Sequence, residues 1–298
     1  MSIATRKLDW GHYGFIAPAL LSLLFWYYVP VVQSFAMAFF DWDGLSVGNF
    51  LGLDNFVEIF TDPVFWTALV NMVLVLAFSL TVPIFVPFLA AEGIQHLKSA
   101  KAREFFRTAM VLPVVVPAVV WILLWRNMYD PTNGLINRFV RAVFDPSFSQ
   151  GWLSDPHTAL GAILFIGFPF VSSTALLIFS AGLEEIPTDI YDAAQLEGLG
   201  FWERMRHIDL PFCIPHFRLI LVSSFSGIIA NYTAVLLLTQ GRPLNSTLVP
   251  GYYLYRAGAD QRFGLAAAVG LSLIVLILVL TVLLQKLLRS EVEHEAKR

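Results

Sequence analysis

The sequence predicts an all-α, polytopic membrane protein with six transmembrane helices and both termini in the cytoplasm. Three observations predict this fold class: the composition, the length of the charge-free windows, and the distribution of Lys and Arg between them. Of 298 residues, 57% are hydrophobic and 14% are charged, whereas a soluble domain carries about 25% charged residues. The composition excludes an ordinary cytosolic enzyme and a disordered chain. The net charge of −3 leaves no basic surface for nucleic acid.

Six windows without Asp, Glu, Lys or Arg are long enough to cross a membrane, which takes roughly 20 apolar residues. They cover residues 10–40, 63–91, 108–125, 156–183, 219–241 and 263–285. Because lipid offers no partner for a free backbone N–H or C=O, each window is predicted to form a helix. The predicted spans are approximately 14–40, 66–90, 106–126, 158–182, 216–239 and 264–287, within a single transmembrane domain of residues 1–298.

Individual windows carry further signals. Pro18 and Pro30 interrupt the first window, and proline inside a membrane helix marks a kink or an end rather than a break of the span. The third window is short, and Phe105 and Phe106 are predicted to extend it at the interface. The remaining windows are long enough without extension.

The orientation follows from Lys and Arg in the connecting segments, which are enriched on the cytoplasmic side. With the N-terminus inside, 13 of the 19 Lys and Arg residues lie in cytoplasmic segments. These are Arg6, Lys7, Lys98, Lys101, Arg103, Arg107, Arg204, Arg206, Arg218, Lys286, Arg289, Lys297 and Arg298. Both termini are therefore predicted to be cytoplasmic.

The absence of several motifs narrows the mechanism. No ionisable Asp, Glu, Lys or Arg lies inside a window, although proton- or ion-coupled carriers usually need such groups. The phosphate-binding G-x-x-x-x-G-K-[ST] loop is absent, as are the H-E-x-x-H and G-x-S-x-G motifs of membrane hydrolases. The single cysteine, Cys213, excludes a Cys-based zinc cluster. We expect no catalytic or metal-ligating residues and no cofactor in this chain, so that uphill transport would need energy from another subunit.

The segment 184–212, between the fourth and fifth windows, is predicted to form a cytoplasmic helix–turn–helix. Pro187 suits the first turn of a helix, where its missing N–H is not needed. Gly198 and Gly200 supply the unrestricted backbone that ends this helix. A second short helix, 202–208, is predicted to end before Pro211.

Two interpretations of this segment follow from the residues alone. Ala193 and Ala194 are small, so another protein surface could approach the first helix closely, as docking to a soluble motor would require. Alternatively, the segment is an interfacial amphipathic helix that merely joins two spans. The residues by themselves do not separate these two interpretations.

The segment resembles the EAA loop of ATP-binding-cassette importer permeases. Asp192-Ala193-Ala194, Gly198 and Ile208-Asp209-Leu210-Pro211 match that loop at its spacing, with Asp192 in place of the usual Glu. Similarity to sugar-type permeases extends over roughly residues 14–288. It includes Gly52-Leu53-Asp54-Asn55-Phe56, Gly134-Leu135-Ile136-Asn137 and Leu238-Thr239-Gln240-Gly241-Arg242-Pro243.

The resemblance implies a permease in a bacterial inner membrane. It implies a second homologous permease subunit forming a heterodimer, two ATPase subunits that bind ATP and magnesium, and an extracytoplasmic binding protein that delivers a sugar or polyol. The residues that would couple to an ATPase are Asp192, Ala193, Ala194, Glu197, Gly198 and Leu199. Asp192 would pair with a cation on the ATPase, both alanines would lie against its wall, and Gly198 would set the turn.

The solute path is predicted from polar and aromatic side chains inside the windows, since sugars are held by aromatic faces, amides and hydroxyls. The candidates are Asn71, Trp121, Ser173, Ser224, Asn231, Tyr232 and Thr233. Any one of them could instead bond to a neighbouring helix. Two other functions stay open at this point: an autonomous carrier or channel, and a membrane-embedded enzyme. Copurification with an ATPase and a sister permease separates the first function from these two.

Overall fold

The computed structural model describes the backbone of residues 10–295 and the side chains of residues 14–286. The described chain is mostly helical, with one antiparallel hairpin. The hairpin strands are β1 (Phe40–Trp42) and β2 (Val47–Phe50). The helices are α1 (Trp10–Leu23), α2 (Val29–Met37), α3 (Asp54–Thr61), α4 (Pro63–Ser79), α5 (Val82–Gln95), α6 (Ala100–Val111), α7 (Ala118–Met128), α8 (Leu135–Val143), α9 (Ala159–Phe165), α10 (Ser173–Glu184), α11 (Thr188–Leu196), α12 (Phe201–Arg204), α13 (Leu210–Ala230), α14 (Thr233–Leu238), α15 (Pro250–Ala259) and α16 (Phe263–Glu295).

Four helical stretches of the described residues are long and apolar enough to cross a membrane. They are Gly14–Met37, Pro63–Gln95, Phe201–Leu238 and Phe263–Lys286, and a bent pair of helices makes a fifth if it is counted as one span. A helical membrane protein with several spans is thus confirmed, whereas the number six remains a prediction. Of the charges that set the predicted orientation, Arg6, Lys7, Arg289, Lys297 and Arg298 lie outside the described side chains.

The third predicted span, 106–126, is bent. The stretch Ala100–Val115 meets Ala118–Met128 at 94°. Pro113 lies in a 3₁₀ turn and Pro117 directly precedes α7. Each proline removes a backbone donor and its ring clashes with the preceding turn, so two prolines four residues apart replace a straight helix by a corner.

The fourth predicted span, 158–182, is divided between α9 and α10, with residues 166–172 outside any helix. Pro169 cannot donate a backbone hydrogen bond, and Phe170 has a positive φ of 64°. Neither α9 nor α10 reaches the length of a spanning helix. The absence of charge in this window therefore did not indicate a continuous helix.

The chain divides into two compact units. The first comprises Met1–Thr61 with Leu254–Ser272. In it the Asn55 amide donates to the carbonyl oxygens of Ala38 and Phe40, at 2.9 and 3.2 Å. None of the residues from Gly14 to Met37 is buried within this chain.

The second unit comprises Asp62–Tyr253 with Leu273–Arg298, and its core lies between α5, α10 and α13. Phe88, Phe179 and Phe217, one from each helix, meet with ring centroids 4.5 to 5.5 Å apart. A Cβ on Gly182 would lie 2.6 Å from the His216 ring, so α10 and α13 approach too closely there for a side chain. Because segment 184–212 joins α10 to α13, this core holds both of its ends.

The segment departs from prediction at its second helix, which does not end before Pro211. A π turn, Met205–Asp209, connects α12 to α13 without a break. The Leu210 N–H bonds to the Met205 carbonyl, five residues back. The wider turn makes room for Pro211, whose ring would crowd a regular α-helical turn.

Candidate functional site

The segment 184–212, which we call the coupling segment, is two helices around a left-handed turn. α11 follows Pro187, and the chain turns at Gly198, where φ is +76°. A Cβ on Gly198 would meet nothing within 4 Å, so glycine is favoured there by its backbone angle and not by lack of space. α12 then begins where the Gly200 N–H donates to the Glu203 carboxylate, at 3.0 Å.

The side chains predicted to couple to an ATPase do not all lie on one face. Asp192, Ala193 and Glu197 are exposed, as is Gly198, and Leu199 is half-buried. Ala194 is only 4% exposed and packs inside the chain. The burial of Ala194 differs from the expectation that both alanines face a partner. Its small side chain allows α11 to pack closely against the other helices of this chain.

Large apolar side chains project from the same segment. Leu196, at the end of α11, is 90% exposed, and Trp202, in α12, is 68% exposed. Neither was among the residues predicted to couple to an ATPase. The available signal was that each is followed directly by a charged residue, Glu197 after Leu196 and Glu203 after Trp202. Exposed apolar patches mark surfaces that contact another molecule.

A buried carboxylate holds the two helices of the coupling segment together. Asp209 is completely buried, at the end of the π turn. One of its oxygens accepts from the Tyr191 hydroxyl of α11, at 2.9 Å, and the other from Arg204 Nε of α12, at 3.4 Å. Burial, together with the bond to Asp209, raises the pKa of the Tyr191 hydroxyl, which therefore stays a neutral donor.

The last turn of α5 joins this group. Glu92 is completely buried, and one of its carboxylate oxygens lies 3.3 Å from Nδ1 of His96. The Glu92 carboxylate raises the pKa of His96 because it favours the charged imidazolium. The His96 ring also meets Phe201 of α12 edge-on, at 5.6 Å between centroids. We call Glu92, His96, Tyr191, Arg204 and Asp209 the buried junction.

Three members of the buried junction have the residue types of a metal site. Ligand atoms of Glu92, His96 and Asp209 lie within 4.8 Å of one another. Both oxygens of Asp209 are already occupied, by Tyr191 and by the cationic Arg204. The positive charge of Arg204 disfavours binding of a metal cation beside it. We therefore infer that Glu92, His96 and Asp209 hold helices together and do not bind a metal.

The buried junction was not predicted from the sequence, because its two carboxylates lie in ordinary local surroundings. Glu92 is the first charged residue after the window 63–91, so it lies just beyond the predicted second span, 66–90. Asp209 lies between Ile208 and Leu210, and a charge enclosed by aliphatic residues was the one available signal of burial.

A second candidate site lies where the fifth span is interrupted. α13 ends at Ala230, Asn231 is extended, and α14 begins at Thr233. The Asn231 side chain accepts from the Thr233 N–H at 3.0 Å and so begins α14. A break at this position leaves backbone groups without helical partners, which membrane proteins tolerate where a cavity is lined.

A cavity of about 240 Å³ lies beside this break. Its polar lining includes Asn231, Tyr232 and Ser79, and two phenylalanines, Phe78 and Phe170, add aromatic surface. The two rings meet edge to face, at 5.4 Å. The cavity therefore combines an amide, hydroxyls and aromatic faces.

The remaining predicted solute residues lie elsewhere. The Asn71 amide is buried and donates to the carbonyl oxygens of Asn245 and Leu248, at 3.0 and 2.9 Å. It ties α4 to the loop before α15. Both bonds hold the amide in place, and Asn71 does not line the cavity near Asn231.

Trp121 and Ser173 line a separate cavity of about 400 Å³ beside the bend of the third span. The Trp121 indole N–H donates to the Ile166 carbonyl at 2.8 Å, and the Ser173 hydroxyl is near two carbonyl oxygens of α6. Ser224 is half-buried on α13, and Thr233 is the first residue of α14. Of the predicted set, the structure brings Asn231 and Tyr232 together at one cavity and Trp121 and Ser173 together at another.

Comparisons with known proteins agree with this architecture. Residues 84–293 match the family described as "Binding-protein-dependent transport system inner membrane component". The chain is 30% identical over 278 residues to "Probable ABC transporter permease protein PH1215" of Pyrococcus horikoshii, covering 89% of this chain and 92% of that protein. It is 30% identical over 281 residues to "Arabinooligosaccharides transport system permease protein AraP" of Bacillus subtilis, covering 92% and 87%.

Solved structures share the fold. A chain of a bacterial ABC transporter involved in the import of the acidic polysaccharide alginate superposes with a TM-score of 0.83, at 23% identity, over 95% of this chain and 96% of that one. A second structure is of the bacterial alginate ABC transporter in complex with alginate pentasaccharide-bound periplasmic protein. It gives a TM-score of 0.81 at 23% identity, over 93% of both chains. At this identity the likeness shows the fold alone.

Proposed function

Because the chain belongs to the family of binding-protein-dependent transport system inner membrane components, we propose that it is the permease subunit of a sugar importer driven by partner ATPases. A member of this family is a multi-pass transport component of the bacterial inner membrane rather than an enzyme. The observation that carries the coupling proposal is the coupling segment, which exposes apolar side chains at its tip and buries a charged junction at its base.

The coupling segment would work as follows. A cleft on an ATPase takes the exposed side chains of α11, including Asp192, Ala193 and Leu196. Gly198 fixes the turn, so that α12 moves with α11. The buried junction then passes the displacement to α5 and α13. ATP and magnesium belong to the ATPases, and this chain binds neither.

The assembly would contain a second homologous permease subunit, two ATPases and an extracytoplasmic binding protein. The exposure of Gly14–Met37 supports a large apolar contact with lipid or with the second permease. A solved structure of the same fold is of a transporter in complex with a sugar-loaded periplasmic protein, which supports the binding-protein partner. We also propose six crossings with both termini inside, the fourth crossing being made by α9 and α10 together.

A substitution at Leu196 tests directly whether the coupling segment docks to an ATPase. We expect Leu196→Asp to abolish copurification of the ATPase and to lower solute uptake at least about tenfold, because it removes an exposed apolar anchor from the interface. Measurements are the amount of ATPase bound to the purified permease and uptake of labelled sugars into vesicles in the presence of binding protein.

Leu45 supplies the matched control, since it is 98% exposed but lies in the hairpin turn between β1 and β2. Leu45→Asp should keep the ATPase bound. Loss of the ATPase in both variants, or in neither, would contradict docking through α11. Concentration of sugar by the purified chain alone in liposomes would contradict the whole proposal.

The cavity at the break of the fifth span is the proposed solute site, holding a sugar or polyol between Tyr232 and the Phe78 and Phe170 rings. We expect Tyr232→Phe to raise the solute concentration for half-maximal uptake by about threefold to tenfold, as the loss of one hydrogen bond implies. The measurement is uptake as a function of solute concentration. Tyr255→Phe, on α15 and not in the cavity lining, is the control and should leave this concentration unchanged.

A further inference from the structure

The short helix α8 has an unusual division between its two faces. Leu135, Phe139 and Val143 follow one another four residues apart, so they form one apolar stripe, and all three are exposed. Phe144, directly after the helix, continues this stripe and is exposed as well. Nothing in the described chain covers these side chains.

Hydrogen bonds hold the opposite face to the two chain segments that flank α8. Asn137 is completely buried, donates to the carbonyls of Pro131 and Gln150, at 3.0 and 2.9 Å, and accepts from the Trp152 indole at 2.9 Å. Arg141, one turn later, donates to the backbone carbonyls of Thr132, before the helix, and Phe148, after it. These bonds fix the rotation of α8 about its axis, and the apolar stripe therefore stays outward.

The residues next to α8 indicate its position along the membrane normal. Six residues separate α8 from the end of α7, which is the second half of the bent membrane pair. Arg126, exposed in the last turn of α7, is the first charged residue after the charge-free window 108–125. Arginine near the end of a membrane helix lies at the boundary between the apolar layer and water, so α8 begins close to that boundary.

From these observations we propose that α8 is an interfacial helix, whose stripe of Leu135, Phe139 and Val143 lies in the lipid of the outer leaflet. Arg138, exposed at the side of the stripe, is placed to meet lipid phosphates. The apolar side chains of such a helix reach about 5–10 Å below the headgroups. The helix would then hold the outer end of α7 at a fixed depth, whichever solute is carried.

A spin label tests the proposal by measuring depth. The chain has a single cysteine, the buried Cys213, so Phe139→Cys in a Cys213→Ala background gives one label site. The full chain, purified with the subunits that stay bound, is reconstituted in phosphatidylethanolamine and phosphatidylglycerol. We expect the label to collide more often with oxygen than with a water-soluble nickel chelate, at a depth of about 5–10 Å.

Ser147→Cys, in the exposed turn after α8, is the control and should show the reverse preference. Leu135→Cys repeats the measurement if the first variant does not fold. A label at residue 139 that prefers the nickel chelate would overturn the proposal, because the stripe then faces water. A label shielded from both agents would also overturn it, because a protein subunit then covers the stripe. Uptake is measured on the same liposomes, so that a failure of the depth prediction can be distinguished from a failure of the proposed transport function.

Discussion

Replacing Asp209 by asparagine is expected to abolish sugar uptake and to lower the free energy of unfolding by about 3–5 kcal/mol, the usual effect of breaking a buried ion pair. Asparagine keeps the size of the side chain but removes its charge. Arg204, mostly buried beside it, then loses the carboxylate with which it pairs. The measurements are thermal unfolding of the purified protein in detergent and uptake into vesicles.

Tyr191→Phe is the comparison for this variant. It removes one hydrogen bond to the same carboxylate and leaves the pair with Arg204 in place, so we expect a smaller loss, of about 1.5–3 kcal/mol. Equal stability of Asp209→Asn and wild type would show that the buried junction does not hold the coupling segment. A loss for Tyr191→Phe as large as for Asp209→Asn would assign the effect to the hydroxyl rather than to the charge.

The second large effect is expected from Ala194→Glu. A side chain that is 4% exposed has no space for four further atoms next to its Cβ, and overpacking alone costs about 1–3 kcal/mol. The carboxylate would also be buried without a partner, which adds to the loss. We expect α11 to leave its position, with loss of uptake and a clearly lowered temperature of unfolding.

The neighbouring alanine supplies the matched control for Ala194→Glu. Ala193 is exposed, so Ala193→Glu should change the free energy of unfolding by no more than about 0.5 kcal/mol. If α11 docks as proposed, Ala193→Glu still weakens ATPase binding, because it enlarges the docking face. Similar stability of the two variants would contradict the inward orientation of Ala194.

The membrane class of the fold was predictable because composition is summed over the whole chain and does not depend on local geometry. The details of single spans were not. A charge-free window shows that a segment is apolar but not that it is straight, and Pro113, Pro117 and Pro169 turned two windows into bent or divided helices. At Pro211 the opposite happened, since the wide turn before it let the helix continue.

The candidate site shows the same limit. Gly198 was predictable because its role depends on its own backbone angle. The buried junction depends on contacts between residues more than a hundred positions apart, such as Glu92 and Asp209, and no local pattern contains them. Likewise, Asn71 has the chemistry of a sugar ligand, and only the structure shows that its amide is bonded to two carbonyls.

The π turn at Met205–Asp209 has a consequence for what this stretch can tolerate. In an α-helix each residue rotates the chain by about 100° around the axis, and the extra residue of a π turn offsets the two flanking helices by that angle. Deleting one residue here would restore a regular helix and swing α12 and its Arg204 around the axis, away from Tyr191 and Asp209. The number of residues in this stretch, and not only the identity of Asp209, therefore sets the angle at which α12 meets the buried junction.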